Sequence, residues 1–363
     1  MGKPHLCFVG WGDHVHLERW AGYFARNGHR VSVISFSGPG HYPEGVRQYS
    51  VGLKGRGPRW VELKLRYLLF RIRPDIVHVH WAHFAPPVRT AWSGPMIVTA
   101  WGSDIYRRDQ FSDRQWLDLR GALHAADLVT CDSDDLAAAI RDTLGVANNR
   151  MAVIQWGVDT ELFSPTGDSL RDELGVAGRE VVFSARNFTP IYNQETVVTA
   201  FALLRERRPR AFLLMKSYGG DPAYLASIRT RIDALGLHDD CRIIESIPYE
   251  QMPALYRTAD VTLSIPLSDA TPMALLEAMS TQSLPVVSDL PSLREWIDDG
   301  VNGFLVAARD AGAVAVALER ALDDPAGSPR RRACRDLVVA RASQKAHMAV
   351  AGAHYDRLTG VGA

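Results

Sequence analysis

Residues 261–280, VTLSIPLSDATPMALLEAMS, are the stretch that decides the fold. The apolar run at its start predicts a buried strand, and the later run rich in alanine and leucine predicts a helix. Thr271 is a good helix cap and Pro272 suits the first helical position, so we expect the helix to begin there. A strand followed closely by a helix is the repeating unit of a parallel sheet covered by helices.

The same alternation of short apolar runs with longer helical stretches continues along the whole chain. In the first half, the strand patterns are at 6–9, 30–36, 76–80, 96–101, 128–131 and 152–156. In the second half, they are at 181–185, 211–216, 241–245, 261–265, 285–288 and 303–306. We therefore predict an α/β protein with two Rossmann-like domains, each built on a parallel sheet.

A chain of 363 residues is longer than one hydrophobic core usually supports, which also favours two domains. Segment 157–178 contains a Ser-Pro pair and several glycines and has no strong strand pattern, so we place the linker there. The predicted domains are 1–168 and 169–334. A final helix is predicted at about 335–363.

The composition is that of an ordinary globular protein, in which 41 lysines and arginines balance 41 aspartates and glutamates. This balance gives no reason to expect a nucleic-acid partner. The four cysteines are far apart and form no CxxC pair, so we expect free thiols in a reducing cytoplasm. The first residues lack the apolar region of a signal peptide, and no run approaches the ~20 apolar residues of a membrane span.

Gly10-Trp11-Gly12 follows the first predicted strand, where backbone amides can approach an anionic ligand, and this makes Gly12 a donor-binding candidate. The third glycine of a dinucleotide fingerprint and the acid that ends its second strand are both missing, so NAD is not predicted. The alternative is a tight turn that binds no ligand.

Asp132-Ser133-Asp134 has a spacing at which two carboxylates can hold a divalent ion. The surrounding residues favour another interpretation, because Ser133 follows a strand and precedes an apolar helical run. We therefore predict that Ser133 caps a helix and that neither a metal ion nor another cofactor is required.

The helix predicted after Thr271 begins at the carboxyl edge of a parallel sheet, where open α/β sheets bind their ligands. The amides of Met273 and Ala274 in its first turn can hold a phosphate. Glu277, further along the helix, can accept hydrogen bonds from ribose hydroxyls, and Asp269 can reach the hydroxyls of a sugar. A capped helix with an exposed carboxylate is the structural alternative.

Residues 269–277 resemble the E-x7-E signature of retaining glycosyltransferase family 4, with Asp269 in place of the first glutamate. Further blocks that resemble landmarks of this family, in the same order, are at 27–31, 74–78, 102–104, 157–165, 250–261 and 285–303. The resemblance implies a GT-B fold, in which two Rossmann-like domains face a cleft. It places the acceptor mainly on the first domain and the nucleotide sugar mainly on the second, and it implies that the final helix packs back on the first.

By the same resemblance, Arg186 matches an arginine that binds the donor diphosphate, a role that suits its planar guanidinium. The family usually has a lysine a few residues later, whereas this chain has Ile191-Tyr192-Asn193. Lys216, at the end of a predicted strand on the same sheet edge, is our candidate replacement. The predicted catalytic residues are Arg186, Lys216, Asp269 and Asp104. The predicted donor-binding residues are Gly12, Ser246, Ile247, Pro248, Tyr249, Thr271, Pro272, Met273 and Glu277.

Trp101 stands where many family members have a histidine before a Gly-Ser/Thr-Asp sequence. An indole has no titratable nitrogen at neutral pH, so we expect Trp101 to stack on a sugar or acceptor ring instead. Asp104, His16 and His83 are the polar candidates near the acceptor. The predicted acceptor-binding residues are therefore His16, His83 and Trp101, and each has an ordinary structural role as its alternative.

The reaction that the resemblance implies transfers a sugar from a UDP- or GDP-sugar to an acceptor, with retention of the anomeric configuration. Cations and amides stabilise the leaving diphosphate, and its oxygen takes the acceptor proton, so that no metal is needed. Small molecules, lipid-linked sugars and saccharides are all candidate acceptors. Two alternatives stay open: a GT-B epimerase or phosphorylase, for which we find no residue pattern, and a catalytically silent subunit that binds sugar nucleotides.

Residues 54–73 contain seven basic residues and one acid among large apolar side chains. A helix of this kind can lie on an anionic membrane, which the resemblance also allows because some family members act on lipid-linked acceptors. The interpretation that we favour is simpler: the helix covers a sheet with its apolar side, and water solvates its cations. We expect a cytoplasmic protein, with the inner face of the membrane as the alternative.

Overall fold

The structure is a computed structural model. It describes residues 2–52, 57–217, 219–245 and 247–360, so that Ser246 and the first part of the basic segment 54–73 lie outside the described residues. The chain folds into two compact units, which are Met1–Trp156 together with Lys345–Ala363, and Gly157–Gln344.

The unit boundaries differ from the predicted positions. The first unit ends at Trp156 and not at residue 168, and the chain returns to it at Lys345 and not at about residue 335. Phe163 explains the first difference, because its buried ring packs against two tyrosines of the second unit. A segment without a clear strand or helix pattern can thus belong to a domain through one buried side chain.

The first unit is built on a seven-stranded sheet in which every strand pair is parallel. Its strands are β1 (Leu6–Gly10), β2 (Val31–Ser35), β3 (Arg47–Ser50), β4 (Ile76–His80), β5 (Met96–Thr99), β6 (Leu128–Cys131) and β7 (Met151–Val153). Their order across the sheet is β3-β2-β1-β4-β5-β6-β7. The sequence did not predict β3, because this edge strand is short, polar and largely exposed.

The helices of the first unit that precede the linker are α1 (Val15–Arg26), α2 (Pro58–Ile72), α3 (Ala85–Ala91), α4 (Ser103–Tyr106), α5 (Asp113–Ala125) and α6 (Asp134–Leu144). Several of them begin at side chains that cap their free amides. The Ser133 hydroxyl accepts a hydrogen bond from the Leu136 N–H, which confirms the predicted cap of α6. Ser112 and Gln115 form a capping box at the start of α5.

The second unit is built on a six-stranded sheet that is likewise parallel throughout, in the order β10-β9-β8-β11-β12-β13. Its strands are β8 (Glu180–Ser184), β9 (Ala211–Lys216), β10 (Cys241–Ile244), β11 (Val261–Ser264), β12 (Leu284–Ser288) and β13 (Phe304–Val306). Its helices are α7 (Gln194–Arg207), α8 (Pro222–Ala234), α9 (Met252–Thr258), α10 (Met273–Ser280), α11 (Pro291–Arg294), α12 (Ala311–Leu322) and α13 (Pro329–Arg341). The predicted fold class, with two Rossmann-like domains on parallel sheets, is confirmed.

In each sheet the strand order reverses beside the first strand of the unit. β1 lies between β2 and β4, and β8 lies between β9 and β11. At such a point the connections leave toward opposite faces of the sheet, which opens a crevice at the carboxyl ends of the strands. We therefore expect each unit to bind ligands at the loops that follow these central strands.

The last helix, α14 (Gln344–Thr359), packs on the first unit through a buried chain of hydrogen bonds. The Trp20 indole N–H donates to the Tyr355 hydroxyl at 2.8 Å, and that hydroxyl forms a hydrogen bond of 2.7 Å with Nδ1 of His78. Nε2 of His78 forms a hydrogen bond of 2.6 Å with the Thr99 hydroxyl. A neutral His78 ring donates through one nitrogen and accepts through the other, so it can bond both hydroxyls. Burial also favours the neutral ring, since it lowers the pKa of His78 to about 3.

We predict that Tyr355→Phe lowers the free energy of unfolding by about 2 kcal/mol, because it leaves the Trp20 N–H without its acceptor and Nδ1 of His78 without its hydrogen-bond partner. Urea unfolding near neutral pH measures the change. Tyr23→Phe is the control, since the Tyr23 hydroxyl makes no hydrogen bond with any described residue. Its effect should stay within about 0.5 kcal/mol, and equal effects of the two variants would contradict the role of the buried chain.

His80 ends β4 and is fully buried, and neither of its ring nitrogens has a hydrogen-bond partner in the described part of the chain. Burial holds the pKa of His80 well below 6.5, so the folded protein keeps the ring neutral. The unfolded chain takes up a proton as the pH falls below that value, and the stability that the neutral ring contributes is then lost.

We predict that His80→Phe makes the protein less sensitive to acid. The free energy of unfolding of the parent chain should fall more steeply below pH 6.5 than that of the variant, by about 1.4 kcal/mol per pH unit. Urea unfolding over a series of pH values gives both slopes. An unchanged pH dependence in the variant would show that His80 is not kept neutral in the folded state.

Candidate functional site

Arg186 and Asp269 form a buried ion pair at the carboxyl edge of the six-stranded sheet. Arg186 follows β8 and Asp269 lies in the loop after β11, so two adjacent parallel strands bring both residues to one edge. Nη2 of Arg186 donates to Oδ2 of Asp269 at 2.5 Å. Two of the residues predicted to be catalytic are therefore in direct contact.

The Arg186 side chain has a buried donor that no described residue accepts from. Only 9% of the residue is exposed, and its guanidinium carbon lies 4.2 Å from the ring centre of Tyr192. Its Nε–H has no hydrogen-bond partner among the residues that the structure describes. A buried N–H of a cation is costly to leave unpaired, which favours an anionic partner from outside the protein.

Tyr192 occupies the region in which the resembling family has a lysine. It ends the short turn Pro190–Tyr192, after which Asn193 adopts a left-handed conformation with φ 51°. The stacked ring holds the Arg186 guanidinium by a cation–π contact but adds no charge. Where the family has a lysine, this chain therefore has an aromatic ring that orients the guanidinium of Arg186.

Asp269 keeps a carboxylate beside the arginine although the family glutamate is absent. Burial raises the pKa of Asp269, and the Arg186 guanidinium offsets part of this rise. The Ser292 hydroxyl holds the same loop by donating to the Asp269 carbonyl at 2.7 Å. The shorter side chain thus reaches the guanidinium because its own backbone is fixed nearby.

Helix α10 begins one residue later than predicted. Pro272 is its N-cap, with ψ 120°, so the prediction that Thr271 is the cap is wrong. The residue before a proline is biased away from helical conformations, and the Thr271 hydroxyl accepts from the Trp296 indole N–H at 3.4 Å instead. The amides of Met273 and Ala274 still open the helix, where they have no acceptor within it.

Glu277 lies on α10 with 6% of its surface exposed. The Tyr249 hydroxyl donates to its Oε1 at 3.3 Å, and the Tyr256 hydroxyl donates to its Oε2 at 3.2 Å. Burial and the charge of Glu277 raise the pKa of Tyr256, so this hydroxyl stays protonated and donates. Ile247 and Pro248 directly precede Tyr249 in the loop after β10.

Lys216 ends β9, as predicted, and is half-buried. Burial lowers the pKa of its ammonium group, and the negative charge of Glu277 partly offsets this effect, so the two side chains are close. Tyr256 interacts electrostatically with both Glu277 and Arg186. The four predicted residues of the donor site that carry charge therefore belong to one edge of the sheet.

Gly12 is engaged inside the first unit. Its N–H donates to the Ser35 hydroxyl at 3.0 Å, and its carbonyl accepts from the Tyr42 hydroxyl at 2.6 Å. A Cβ atom at this position would come within 2.5 Å of the Ser35 oxygen. Close packing explains this glycine, in agreement with the tight turn that was the alternative to donor binding.

Four tryptophans follow strands of the seven-stranded sheet and meet at its carboxyl edge. With two histidines at the start of α1 they form the aromatic cluster, which consists of Trp11, His14, His16, Trp81, Trp101 and Trp156. The ring centres of Trp11 and Trp81 are 4.4 Å apart. His16 stacks on Trp156 at 4.5 Å. Of these six residues, only His16 and Trp101 were predicted to bind the acceptor, although a tryptophan shortly after each of four strands was a visible signal.

The buried carboxylate of Asp104 connects two loops that carry tryptophans. Its Oδ2 accepts the Ala82 N–H at 2.7 Å, and its Oδ1 accepts the Trp101 N–H at 2.9 Å. Burial raises the pKa of Asp104 to about 6, although these hydrogen bonds act in the opposite direction. Asp104 thus positions the backbone beside Trp81 and Trp101, and its catalytic role stays a prediction.

His83 lies next to the aromatic cluster, with its ring centre 5.3 Å from that of Trp81. Its ring stacks on Phe111 with the centres 3.6 Å apart, and its Nε2–H donates to the Asp104 carbonyl at 3.1 Å. These contacts hold the ring in place. Its role in acceptor binding stays a prediction.

Two family models match the chain, one for each half. The model described as Glycosyltransferase Family 4 matches residues 12–162. The model described as Glycosyl transferases group 1 matches residues 168–336. The first of these matches includes most of the seven-stranded unit, and the second includes the whole six-stranded sheet.

Relatives of similar sequence carry glycosyltransferase names. D-inositol 3-phosphate glycosyltransferase of Nocardiopsis dassonvillei is 28% identical over 275 residues, which cover 69% of this chain and 63% of that protein. GDP-mannose-dependent alpha-(1-6)-phosphatidylinositol monomannoside mannosyltransferase of Mycolicibacterium smegmatis is 30% identical over 181 residues, 47% of this chain and 46% of that protein. The chain thus spans less than two thirds of the length of either relative.

A solved structure of similar fold is that of the Anabaena protein HepE in complex with UDP. It superimposes with a TM-score of 0.81 over 97% of this chain and 100% of that chain, at 18% sequence identity. At this identity the likeness concerns the fold. The chain therefore has the GT-B fold, and each of its two halves matches one glycosyltransferase family model.

Proposed function

We propose that this chain is a glycosyltransferase that moves a sugar from a UDP- or GDP-sugar to an acceptor, with retention of configuration and without a required metal ion. The two family models and the names of the relatives support the reaction class. HepE is solved with UDP and the Mycolicibacterium relative is named for GDP-mannose, so both bases stay candidates.

The observation that carries the proposal is the unused Nε–H of Arg186. This buried donor has no acceptor in the described part of the chain, and it lies at the carboxyl edge of a doubly wound sheet. Its ion-pair partner Asp269 leads directly into α10, whose first amides also lack acceptors within the helix. A diphosphate supplies the anionic oxygens that such a group of donors requires.

Glu277 and Lys216 suit the rest of the donor. The oxygens of Glu277 accept hydrogen bonds from two tyrosines, and a carboxylate is also a suitable acceptor for ribose hydroxyls. Lys216 lies close to this carboxylate and adds a second cation at the same sheet edge. We assign Lys216 to the position that the missing family lysine would fill.

The proposed mechanism follows from the position at which negative charge develops during the transfer. As the bond between the sugar and the diphosphate breaks, negative charge develops on the leaving oxygen. Arg186 and the amides of Met273 and Ala274 stabilise that charge in a site with little water. The leaving oxygen takes the proton of the acceptor hydroxyl while the new bond forms on the same face of the sugar. The configuration is thereby retained, and no protein base is needed.

We expect Arg186→Lys to lower the rate of donor hydrolysis and transfer about 100-fold, because lysine keeps the charge but loses the fork of N–H groups. The measurement is the release of UDP or GDP from sugar nucleotides, with and without an acceptor. Arg179→Lys is the matched control. Arg179 precedes β8, at the end of the strand opposite to Arg186, and forms an ion pair with Asp240. This control should keep the rate within about twofold.

Equal losses in the two variants would contradict the role of Arg186. The assay is run in EDTA, and a strict dependence on added Mg²⁺ or Mn²⁺ would refute metal independence. A chain whose melting temperature rises with UDP or GDP, but which releases no nucleotide from any sugar nucleotide, would be the silent subunit considered as an alternative.

The proposal includes peripheral contact with an anionic membrane through α2, at the cytoplasmic face. One side of this helix is buried, at Val61, Leu65, Leu68, Leu69 and Ile72. This is the side that covers the core, as the favoured interpretation of the sequence expected. The other side leaves Leu63, Tyr67 and Phe70 exposed by 67%, 51% and 69%. Their spacing places the three in one stripe along the helix.

Basic side chains border this apolar stripe. Helical spacing places Arg59 and Arg66 on one side of it, and Lys64 and Arg71 on the other. An apolar stripe between cations is the pattern of a helix that lies at the headgroups of an anionic membrane. In the described ranges, no helix has the length and apolar character needed to cross a bilayer.

Leu63→Glu should weaken co-sedimentation with phosphatidylglycerol vesicles about tenfold or more, because it removes an apolar contact and adds a charge that the lipid repels. Leu117→Glu is the matched control, since Leu117 is a leucine of α5 with a similar exposure of 64%. Equal binding of the two variants would contradict the contact. Equal binding of the parent chain to uncharged phosphatidylcholine vesicles would do so as well.

A further inference from the structure

The aromatic cluster brings four indoles together at one sheet edge, and three of them are partly exposed. Trp11 follows β1, Trp81 follows β4, Trp101 follows β5 and Trp156 follows β7. Because these strands are parallel, the indoles meet, and the centres of neighbouring rings are 4.4 to 5.7 Å apart. The edge includes the point between β1 and β4 where the strand order reverses, which is where sheets of this kind bind ligands.

These rings do not form a closed core. Trp156 and its neighbour Trp20 are only 5% and 2% exposed, but Trp11, Trp81 and Trp101 are half-buried. Aromatic faces that stay partly open to solvent can stack against rings that present C–H groups. Sugar rings have such faces, and their hydroxyl groups lie around the edge.

Two donors inside the cluster lack acceptors. The indole N–H groups of Trp81 and Trp101 are buried and have no hydrogen-bond partner among the described residues. An alkyl chain stacked on the indoles would leave both groups unpaired, which is unfavourable. The hydroxyl oxygens of a sugar can accept from them. The unpaired donors therefore favour a ring that carries hydroxyls over a purely apolar ligand.

The aromatic cluster gives little electrostatic stabilisation to a ring that carries a negative charge. Burial lowers the pKa of His14 to about 4, although the nearby Asp13 acts in the opposite direction, so His14 is neutral at physiological pH. Nδ1 of this neutral ring accepts the His16 N–H. A phosphate group placed against His14 and the indoles would lose water and gain no opposite charge from them.

The backbone holds Trp81 in a strained conformation. Its φ is 72°, a value that a bulky side chain rarely adopts. Asp104 fixes this loop to the next one by accepting the N–H groups of Ala82 and Trp101. Strain that the surroundings enforce is typical of positions that hold ligands.

We propose that the aromatic cluster binds the acceptor and that this acceptor presents an uncharged saccharide ring, stacked against Trp81 and Trp101. The role of the ring as an acceptor rests on the proposed transferase function, whereas its binding does not. The Nocardiopsis relative is named for a phosphorylated inositol, so the proposal gives this chain a different class of acceptor.

The test uses the full chain labelled with 5-fluorotryptophan and observed by fluorine NMR. The probes are the methyl glycosides of glucose, mannose and galactose, together with cellobiose and inositol 1-phosphate. We expect at least one uncharged saccharide to shift the signals of Trp81 and Trp101, which single Trp→Phe variants assign. The signal of Trp92 should not move, because Trp92 precedes β5 at the opposite edge of the sheet. Trp101→Leu should weaken binding about tenfold, and Trp92→Leu should not.

Three outcomes would overturn part of the assignment. If Trp81 and Trp101 respond to inositol 1-phosphate and to no saccharide, the uncharged class is wrong. If they respond to no probe while the chain still releases UDP or GDP from a sugar nucleotide, the cluster is not a saccharide site and the transferase function stands. If a saccharide binds but no sugar nucleotide is cleaved, the transferase function fails and the ring site stands. The parent chain supplies these readouts even where a variant fails to fold.

Discussion

The parallel pairing of the strands is the constraint on which both candidate sites depend. A parallel strand ends at the same sheet edge as its neighbours, so residues far apart in sequence arrive together. In the second unit this pairing brings Arg186, after β8, to Asp269, after β11. In the first unit it brings Trp11, after β1, to Trp81, after β4. Neither contact exists without the sheet.

The two edges differ in their electrostatics, and the difference suits the two substrates of the proposed transfer reaction. The second unit holds a buried guanidinium, which the ring of Tyr192 and the carboxylate of Asp269 orient. Such a site suits an anion that gains charge as it leaves. The first unit holds aromatic faces and a neutral His14, and the buried Asp104 there accepts hydrogen bonds from backbone N–H groups. That surface suits an uncharged ring.

Much of the fold could be predicted because its strands are short apolar runs between turns. The strands at 76–80, 128–131 and 211–216 begin and end where the sequence placed them. The prediction missed β3, a polar edge strand that buries too little to leave an apolar pattern. The resemblance supplied Arg186, Asp269 and Glu277, and a position at the end of a predicted strand supplied Lys216. The resemblance did not supply Tyr192 or Tyr256, which contact Arg186 and Glu277 in the structure. In a sequence, such aromatic residues cannot be told from residues of the hydrophobic core.

By itself, the sequence determined most of the strands and helices, and it located the charged residues of the proposed donor site, since periodicity and motif spacing are local properties of the chain. Only the tertiary structure decided what each side chain meets. It showed that Asp104 accepts backbone N–H groups, that Leu63 faces solvent, and that Arg186 keeps an Nε–H without an acceptor in the described ranges. The physical reason is that burial and hydrogen bonding depend on residues distant in the chain, which only the packed sheet brings into contact.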